Sequence, residues 1–198
     1  MIHVRRATVD EVPELAALLA RAFADDAIMA WTTPEPAREA RVSAFFRGFD
    51  GVAAEHGWLW TTEGRRGVAL WAPPGSERAF EALTFELGDA VRELLDGAAG
   101  RYDSFWEWAE AARPAGPHWY LDHVAVDASA RGTGLGVALV EHGLASAQAA
   151  GLPAFLCTSR PENVAFYERR GFLVERDGTA PDGGPHVWFM RWEPHSPA

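Results

Sequence analysis

The stretch VAVDASARGTGLGVALVEHG, residues 124–143, passes from an apolar, β-branched segment through three closely spaced glycines into a run with helical periodicity. Such a change of period marks a strand, a loop and a helix in succession. At that junction bare backbone amides and a helix N-terminus can gather around an anion. Three nucleotide-binding patterns compete for it. The dinucleotide fingerprint G-x-G-x-x-G, started at Gly132 or Gly134, needs glycine at 137 or 139, where Val137 and Leu139 stand. The Walker loop needs a lysine, and every one of the eighteen basic residues is arginine. The pattern R-x-x-G-x-G, from Arg131 to Gly136, does fit: its amides can close on a diphosphate, with Arg131 adding a charge-assisted bond. A ligand-free tight turn is the plain alternative for the loop taken alone.

The 198-residue length, with 48% hydrophobic and 23% charged residues, fits one domain over residues 1–198 with one sizeable core. No apolar run reaches the roughly 18 residues that span a bilayer, and the N-terminus lacks the pattern of a signal peptide, so a cytoplasmic location away from membranes is expected. A single cysteine, Cys157, excludes an internal disulfide framework, and the seven histidines show no zinc spacing, so no metal is expected. The net charge of −10 disfavours nucleic acid as a partner. The absence of lysine excludes Schiff-base chemistry. Between residues 131 and 172, however, Arg131, Arg160, Arg169 and Arg170 outnumber Glu141, Glu162 and Glu168. A small anion suits that segment.

Residues 2–7 read as a strand, and TVDE, residues 8–11, as a capping box opening a helix with Val12, Leu15, Leu19 and Phe23 at helical spacing. A second helix is predicted over 37–56, with Val42, Phe45, Phe46 and Phe49 on one side, and a β-hairpin over 57–74 around a turn at 63–67. Two helical patterns follow, at 77–97 and 102–112, a helical insertion over about 76–112. Residues 117–127 form the next strand, followed by the glycine loop and a helix to about Ala150. A short buried strand spans 153–159. SRPE, residues 159–162, caps another helix that stops at Gly171. FLVERD and HVWFMRW close the chain as an antiparallel pair, the last strand being either internal or available for pairing across a dimer. Hairpins together with β-α-β alternation imply a mixed α/β sheet with helices on its faces.

About thirty residues beyond the loop, Asn163 and Tyr167 in NVAFYERRGF stand four apart and share a helix face. Together, R-x-x-G-x-G and this second motif resemble the GNAT (GCN5-related) N-acetyltransferase superfamily, and the element order extends the resemblance over nearly the whole chain. Within the superfamily, VRRATVDEVPELAALLARAFADD, LPAFLCTS and FYERRGF look closest to the puromycin N-acetyltransferase branch. The resemblance implies a mostly antiparallel sheet that splays between its fourth and fifth strands and binds acetyl-CoA there. It assigns Val124, Ala125 and Val126 to the pantetheine arm and Arg131, Gly132, Thr133, Gly134, Leu135, Gly136 and Val137 to the diphosphate. Asn163 goes to the pantetheine arm, and Phe166 packs beside the cofactor.

The implied reaction is direct attack of an amine on the thioester, with the Val124 amide as oxyanion donor and Tyr167 as general acid. The general base is Asp122, ahead of His123, with water or another group as the remaining choice; strand alternation sends Asp122 and His123 to opposite faces unless a bulge intervenes. Cys157, in an apolar strand, reads as a small core residue rather than an acyl carrier. Asp25, Asp26, Trp31, Trp71 and His123 are the acceptor-site candidates, in an N-terminal half rich in tryptophan. The pair Trp58 and Trp60 is expected to share one strand face within the core. An aromatic, acid-edged pocket suits a small-molecule amine, in particular an aromatic or cationic antibiotic or toxic metabolite. The competing functions are acetylation of a protein lysine or N-terminus, and acyl-CoA sensing without catalysis. The oligomeric state is expected to be a monomer or homodimer.

Overall fold

A computed structural model describes residues 2–33, 35, 37–76, 78–79, 95 and 98–195. Strand β1 (Val4–Arg6) leads through a single 3-10 turn into helix α1 (Val12–Ala22), on which Val12, Leu15 and Leu19 are buried. The entry is fixed by Glu11, whose carboxylate accepts the Thr8 N–H at 3.0 Å and forks the Arg5 guanidinium at 2.8 and 2.6 Å. That bidentate pair draws the Glu11 carboxyl down to about 2. Residues 27–32 form a further short helix, α2 (Ala27–Thr32). Its cause is Asp26, whose Oδ1 accepts the N–H groups of both Ile28 and Met29 at 3.0 Å. Helix α3 (Arg38–Glu55) follows, then the hairpin of β2 (Leu59–Thr62) and β3 (Gly67–Ala72). Helix α4 (Ala99–Glu110) covers most of the second helical pattern; the pattern over 77–97 falls almost wholly outside the described residues.

The sheet is completed by β4 (Trp119–Val126), β5 (Ala154–Thr158), β6 (Leu173–Thr179) and β7 (His186–Trp192), in the order β1-β2-β3-β4-β5-β7-β6. All neighbours are antiparallel except β4 and β5. These two pair only at Trp119 with Ala154 and Tyr120 with Phe155. Beyond Tyr120 they part, which leaves one edge of β4 open: this is the expected splay. Between them run α5 (Leu135–Ala150) and, after β5, α6 (Pro161–Glu168). Strand β7 lies inside the sheet, flanked by β5 and β6.

Each face of the sheet carries its own apolar cluster. Leu15, Leu19, Val42, Phe46 and Leu70 belong to the side covered by α1 and α3; Trp71, Leu121, Leu139, Val140 and Tyr167 belong to the side covered by α5 and α6. Trp58 and Trp60 do not share a face. Trp58 precedes β2, ahead of the strand's pleat, and packs on the α1 side, while Trp60 packs on the α5 side. Helix α5 crosses the sheet closely because Gly143 has no side chain there: a Cβ at that position would lie 2.0 Å from Trp71 Cε2. Trp71 is fully buried and donates its Nε1–H to the Leu139 carbonyl at 3.1 Å, so it cannot yield without losing that bond. Gly143→Ala should therefore destabilise the fold by about 1–3 kcal/mol despite alanine's better helix propensity. A rise in urea midpoint would contradict this packing.

Candidate active site

The site is organised by an irregularity in β4. Leu70 of β3 pairs with His123, but its neighbour Trp71 pairs with Leu121, so Asp122 is the extra residue of a β-bulge. Regular alternation would put Asp122 and His123 on opposite faces. With the bulge, both line one cavity of about 990 Å³ on the α3 side of the splay. Asp122 Oδ1 lies 2.9 Å from His123 Nδ1.

On its other nitrogen, His123 meets a residue that sequence reading passed over. Asp50 of α3 is completely buried, with Oδ1 3.2 Å from His123 Nε2. The contact is an ion pair without hydrogen-bond alignment, and Asp50 Oδ2 has no hydrogen-bond partner among the described residues. Burial disfavours a charge on His123, but Asp50 and Asp122 outweigh it and raise the imidazole to about 10. Burial likewise raises the Asp50 carboxyl, against the pull of His123. The signal for Asp50 was present in the sequence: it continues the buried stripe of Val42 and Phe46 at four-residue spacing.

The cavity walls are largely aromatic. Phe45 and Phe49 of α3 stack with centroids 5.9 Å apart, Tyr102 of α4 meets Phe45 edge-on at 6.0 Å, and Trp106 meets Tyr102 at 6.1 Å. Carboxylates of Asp26, Asp103, Glu110 and Asp122 also line it. Arg113, another lining residue, is held by Glu110 at 2.9 Å and lies 4.3 Å over the Tyr120 ring. Cys157 lines the cavity as well, 3.9 Å from the Tyr120 hydroxyl, and burial pushes its thiol up to about 12. A thiol so strongly protonated is a poor nucleophile.

The donor side lies around the splay. Val124, Asn163 and Tyr167 line the cavity, and burial raises the Tyr167 phenol, keeping it neutral. Asn163 Nδ2 donates to Thr158 Oγ1 at 3.2 Å. Helix α6 is capped at Arg160, not Ser159, because the Ser159 hydroxyl donates instead to Asp26 Oδ2 at 3.0 Å. Asp26 thus lines the cavity with both carboxylate oxygens occupied. Ala125 and Val126 pair with Val68 and Gly67 of β3 on the opposite edge. In the loop, Gly132 and Gly134 have φ of +79° and +89°, and a Cβ on Gly132 would meet open space. A Cβ on Gly136 would lie 3.5 Å from Val126 and 3.8 Å from the Phe166 ring, so this glycine brings α5 against both. The first intrahelical bond of α5 runs from Ala138 N–H to the Gly134 carbonyl at 3.0 Å, so the amides of Leu135, Gly136 and Val137 precede it. Thr133 Oγ1 donates back to the Ala130 carbonyl at 2.6 Å, and Arg131 is exposed beside it. These uncommitted amides and Arg131 are the groups of this loop that could hold an anion.

The structure separates the remaining acceptor candidates. Asp25 is exposed and does not line the cavity. Trp31 is also off the cavity; its carbonyl accepts from Arg101 and its ring faces Gly184. Trp71 is sealed on the other face of the sheet under α5, because strand pleating turns it away from its neighbour Leu70. The aromatic wall comes instead from α3 and α4. Among the described residues no cluster of His, Cys, Asp and Glu is suited to a metal, and no helix is long and apolar enough to cross a membrane.

The sheet is thus opened at one strand pair, with the glycine loop at one end and an acid-edged cavity beside it. Residues 94–172 match the acetyltransferase (GNAT) family. Over its full length the chain is similar to the structure of histone acetyltransferase HPA2 and related acetyltransferase from Corynebacterium glutamicum, at 26% identity, covering 98% of that chain with a TM-score of 0.72. It shares its fold with Drosophila melanogaster polyamine N-acetyltransferase, which forms N-acetylagmatine, at 17% identity over 98% of this chain and 100% of that one, TM-score 0.72. A mosquito arylalkylamine N-acetyltransferase-like protein also shares it, at 16% identity over 98% of this chain and 100% of that one, TM-score 0.57. The match over residues 94–172 and the fold shared over the full length make the chain similar to GNAT N-acetyltransferases.

Proposed function

We propose that this protein, acting as one domain in the cytoplasm, transfers an acetyl group from acetyl-CoA to the primary amine of a small aromatic molecule. The observation that carries the reading is the β4 bulge, which brings Asp122 into an aromatic cavity at the splayed strand edge. A cationic amine entering that cavity meets a carboxylate at one end and aromatic faces along its length. Acetyl-CoA supplies the thioester; Arg131 and the amides of Leu135, Gly136 and Val137 hold its diphosphate. Asn163 and the Val124–Val126 edge take the pantetheine arm, as an added strand would.

Asp122 accepts the proton that the amine must lose. His123 does not serve as the base, because both of its ring nitrogens face carboxylates. The Val124 amide polarises the thioester carbonyl. Tyr167, kept neutral by burial, donates a hydrogen bond to the departing sulfur and then its proton. The amine becomes an amide and the thioester a free thiol. An aromatic antibiotic or toxic metabolite with a primary amine suits this acceptor site, and the resemblance of VRRATVDEVPELAALLARAFADD, LPAFLCTS and FYERRGF to the puromycin N-acetyltransferase branch supports detoxification or self-resistance as the role.

Thiol release from acetyl-CoA over a panel of aromatic, polyamine and peptide amines tests the reading. Turnover should be fastest with aromatic primary amines, and Tyr167→Phe should lower kcat about 100-fold or more. Unchanged kcat in that variant removes Tyr167 as the acid. Turnover of peptides alone removes the small-molecule acceptor.

A further inference from the structure

Asp50 occupies a position where an apolar side chain would ordinarily complete the core. Helix α3 buries Val42, Phe46, Asp50 and Ala53 along one face. An ionised carboxylate there is costly unless paired. Its partner is the buried imidazole of His123, 3.2 Å away. One helical turn earlier, the Phe46 ring meets the same imidazole edge-on, with centroids 5.1 Å apart and planes at 71°. Asp50 and Phe46 thus grip the imidazole from α3, while Asp122 meets its Nδ1 from the bulge at 2.9 Å.

We propose that Asp50 is a positioning residue: from α3 it keeps His123 as an imidazolium whose Nδ1–H fixes Asp122 at the bulge, leaving Asp122 Oδ2 to meet the acceptor amine. The last clause rests on the acetyl-transfer reading above; the charge on His123 does not. The physical need arises from the bulge, which frees Asp122 from strand pairing and leaves its orientation to side-chain contacts. A neutral imidazole has one N–H and can donate to only one of its two neighbours. An imidazolium carries an N–H toward each, bonding Asp122 and pairing by charge with Asp50, so the Asp122 carboxylate keeps its attraction for a cation. Among the described residues, the charged and titratable groups around the unit are Asp50 from α3 and Asp122 from β4, with Tyr102 of α4, Arg113, Tyr120 of β4 and Cys157 of β5 acting on Asp122. Among the described residues, Asp50 is therefore the one acid that touches His123 from outside its own strand.

The test is nitrogen NMR of the full chain labelled with 15N-histidine, with the His123 signals assigned by their loss in His123→Gln. At pH 8 both His123 ring nitrogens should show the protonated signature in the wild type. In Asp50→Asn the deprotonation midpoint should fall by about 1–3 pH units. In Asp122→Asn, which leaves the core pair intact, the imidazolium should persist at pH 7. A neutral His123 in the wild type at pH 8, an unshifted midpoint in Asp50→Asn, or loss of the imidazolium in Asp122→Asn each overturns the proposal. If Asp50→Asn does not fold, the wild-type and Asp122→Asn spectra still decide it. On the amine that the wild type turns over fastest, Asp50→Asn should also lower kcat/KM by about tenfold or more. A wild type that shows the imidazolium but acetylates no amine would refute the acetyl-transfer reading while leaving the Asp50–His123 pair standing.

Discussion

Asp122→Asn is expected to lower kcat/KM for the amine acceptor by about 10²–10⁴-fold, the range that a positioned proton acceptor supplies. The substitution isolates charge from shape. Asparagine has the same outline as aspartate, and its amide oxygen can still accept from His123 Nδ1, now 2.9 Å from Asp122 Oδ1. The bulge is a backbone feature between Leu70 and Trp71 on the facing strand, and it does not need the carboxylate. Asparagine lacks the basicity to take a proton and the negative charge that draws in an ammonium ion. Both kcat and KM should suffer, while the urea midpoint changes little. Initial rates of thiol release at pH 8, with acetyl-CoA saturating, measure the effect. Activity within threefold of wild type would mean that water or another group takes the proton.

His123→Leu is expected to destabilise the folded state by about 3–5 kcal/mol at pH 7, because it removes the partner of a buried carboxylate and offers nothing in its place. Asp50 would then lie in an apolar layer formed by Phe46 and its neighbours with no positive charge in contact. The pH dependence identifies the cause. In the wild type the imidazole is raised from 6.5 to about 10, so its contribution to stability is complete below 6.5 and is lost as pH rises through 10. The variant has no such contribution to lose. The difference between the two proteins should therefore narrow between pH 7 and pH 9.5, as urea denaturation at the two pH values would show. A difference under about 1 kcal/mol at pH 7 would show that the pair contributes little.

Much of the architecture was legible because it follows from local rules. The segments read as strands became β1 to β7, and the helical stripes of α1 and α3 lie where their apolar spacing requires. The short helix α2 was missed because it depends on one side chain: six residues are too few to form a helix on propensity alone, and Asp26 supplies the cap. The Ser159 cap failed for the converse reason. A hydroxyl beside a helix start is a cap only if nothing nearby competes for it, and Asp26, 133 positions away in the chain, does.

In the candidate site, the glycine loop and the spacing of Asn163 and Tyr167 could be read from sequence because each concerns a few consecutive residues with fixed backbone geometry. The aromatic wall could not. Trp31 and Trp71 are conspicuous in the sequence, but one packs against Gly184 and the other is sealed under α5; the cavity takes Phe45, Phe49, Tyr102 and Trp106 from helices far apart in the chain. The orientation of Asp122 was open as well, since alternation forbids it from sharing a face with His123 and only a bulge against β3 permits it.

By itself, then, the sequence determined the strand-loop-helix unit of residues 124–143 and the elements around it, because hydrophobic period and glycine conformation act over a few residues at a time. Tertiary structure alone decided that Asp50, Asp122 and His123 meet, with Asp50 and His123 buried and Asp122 at the cavity edge. A register shift between two strands and the depth of one helix face set those distances, and both depend on how the whole sheet and α3 pack together.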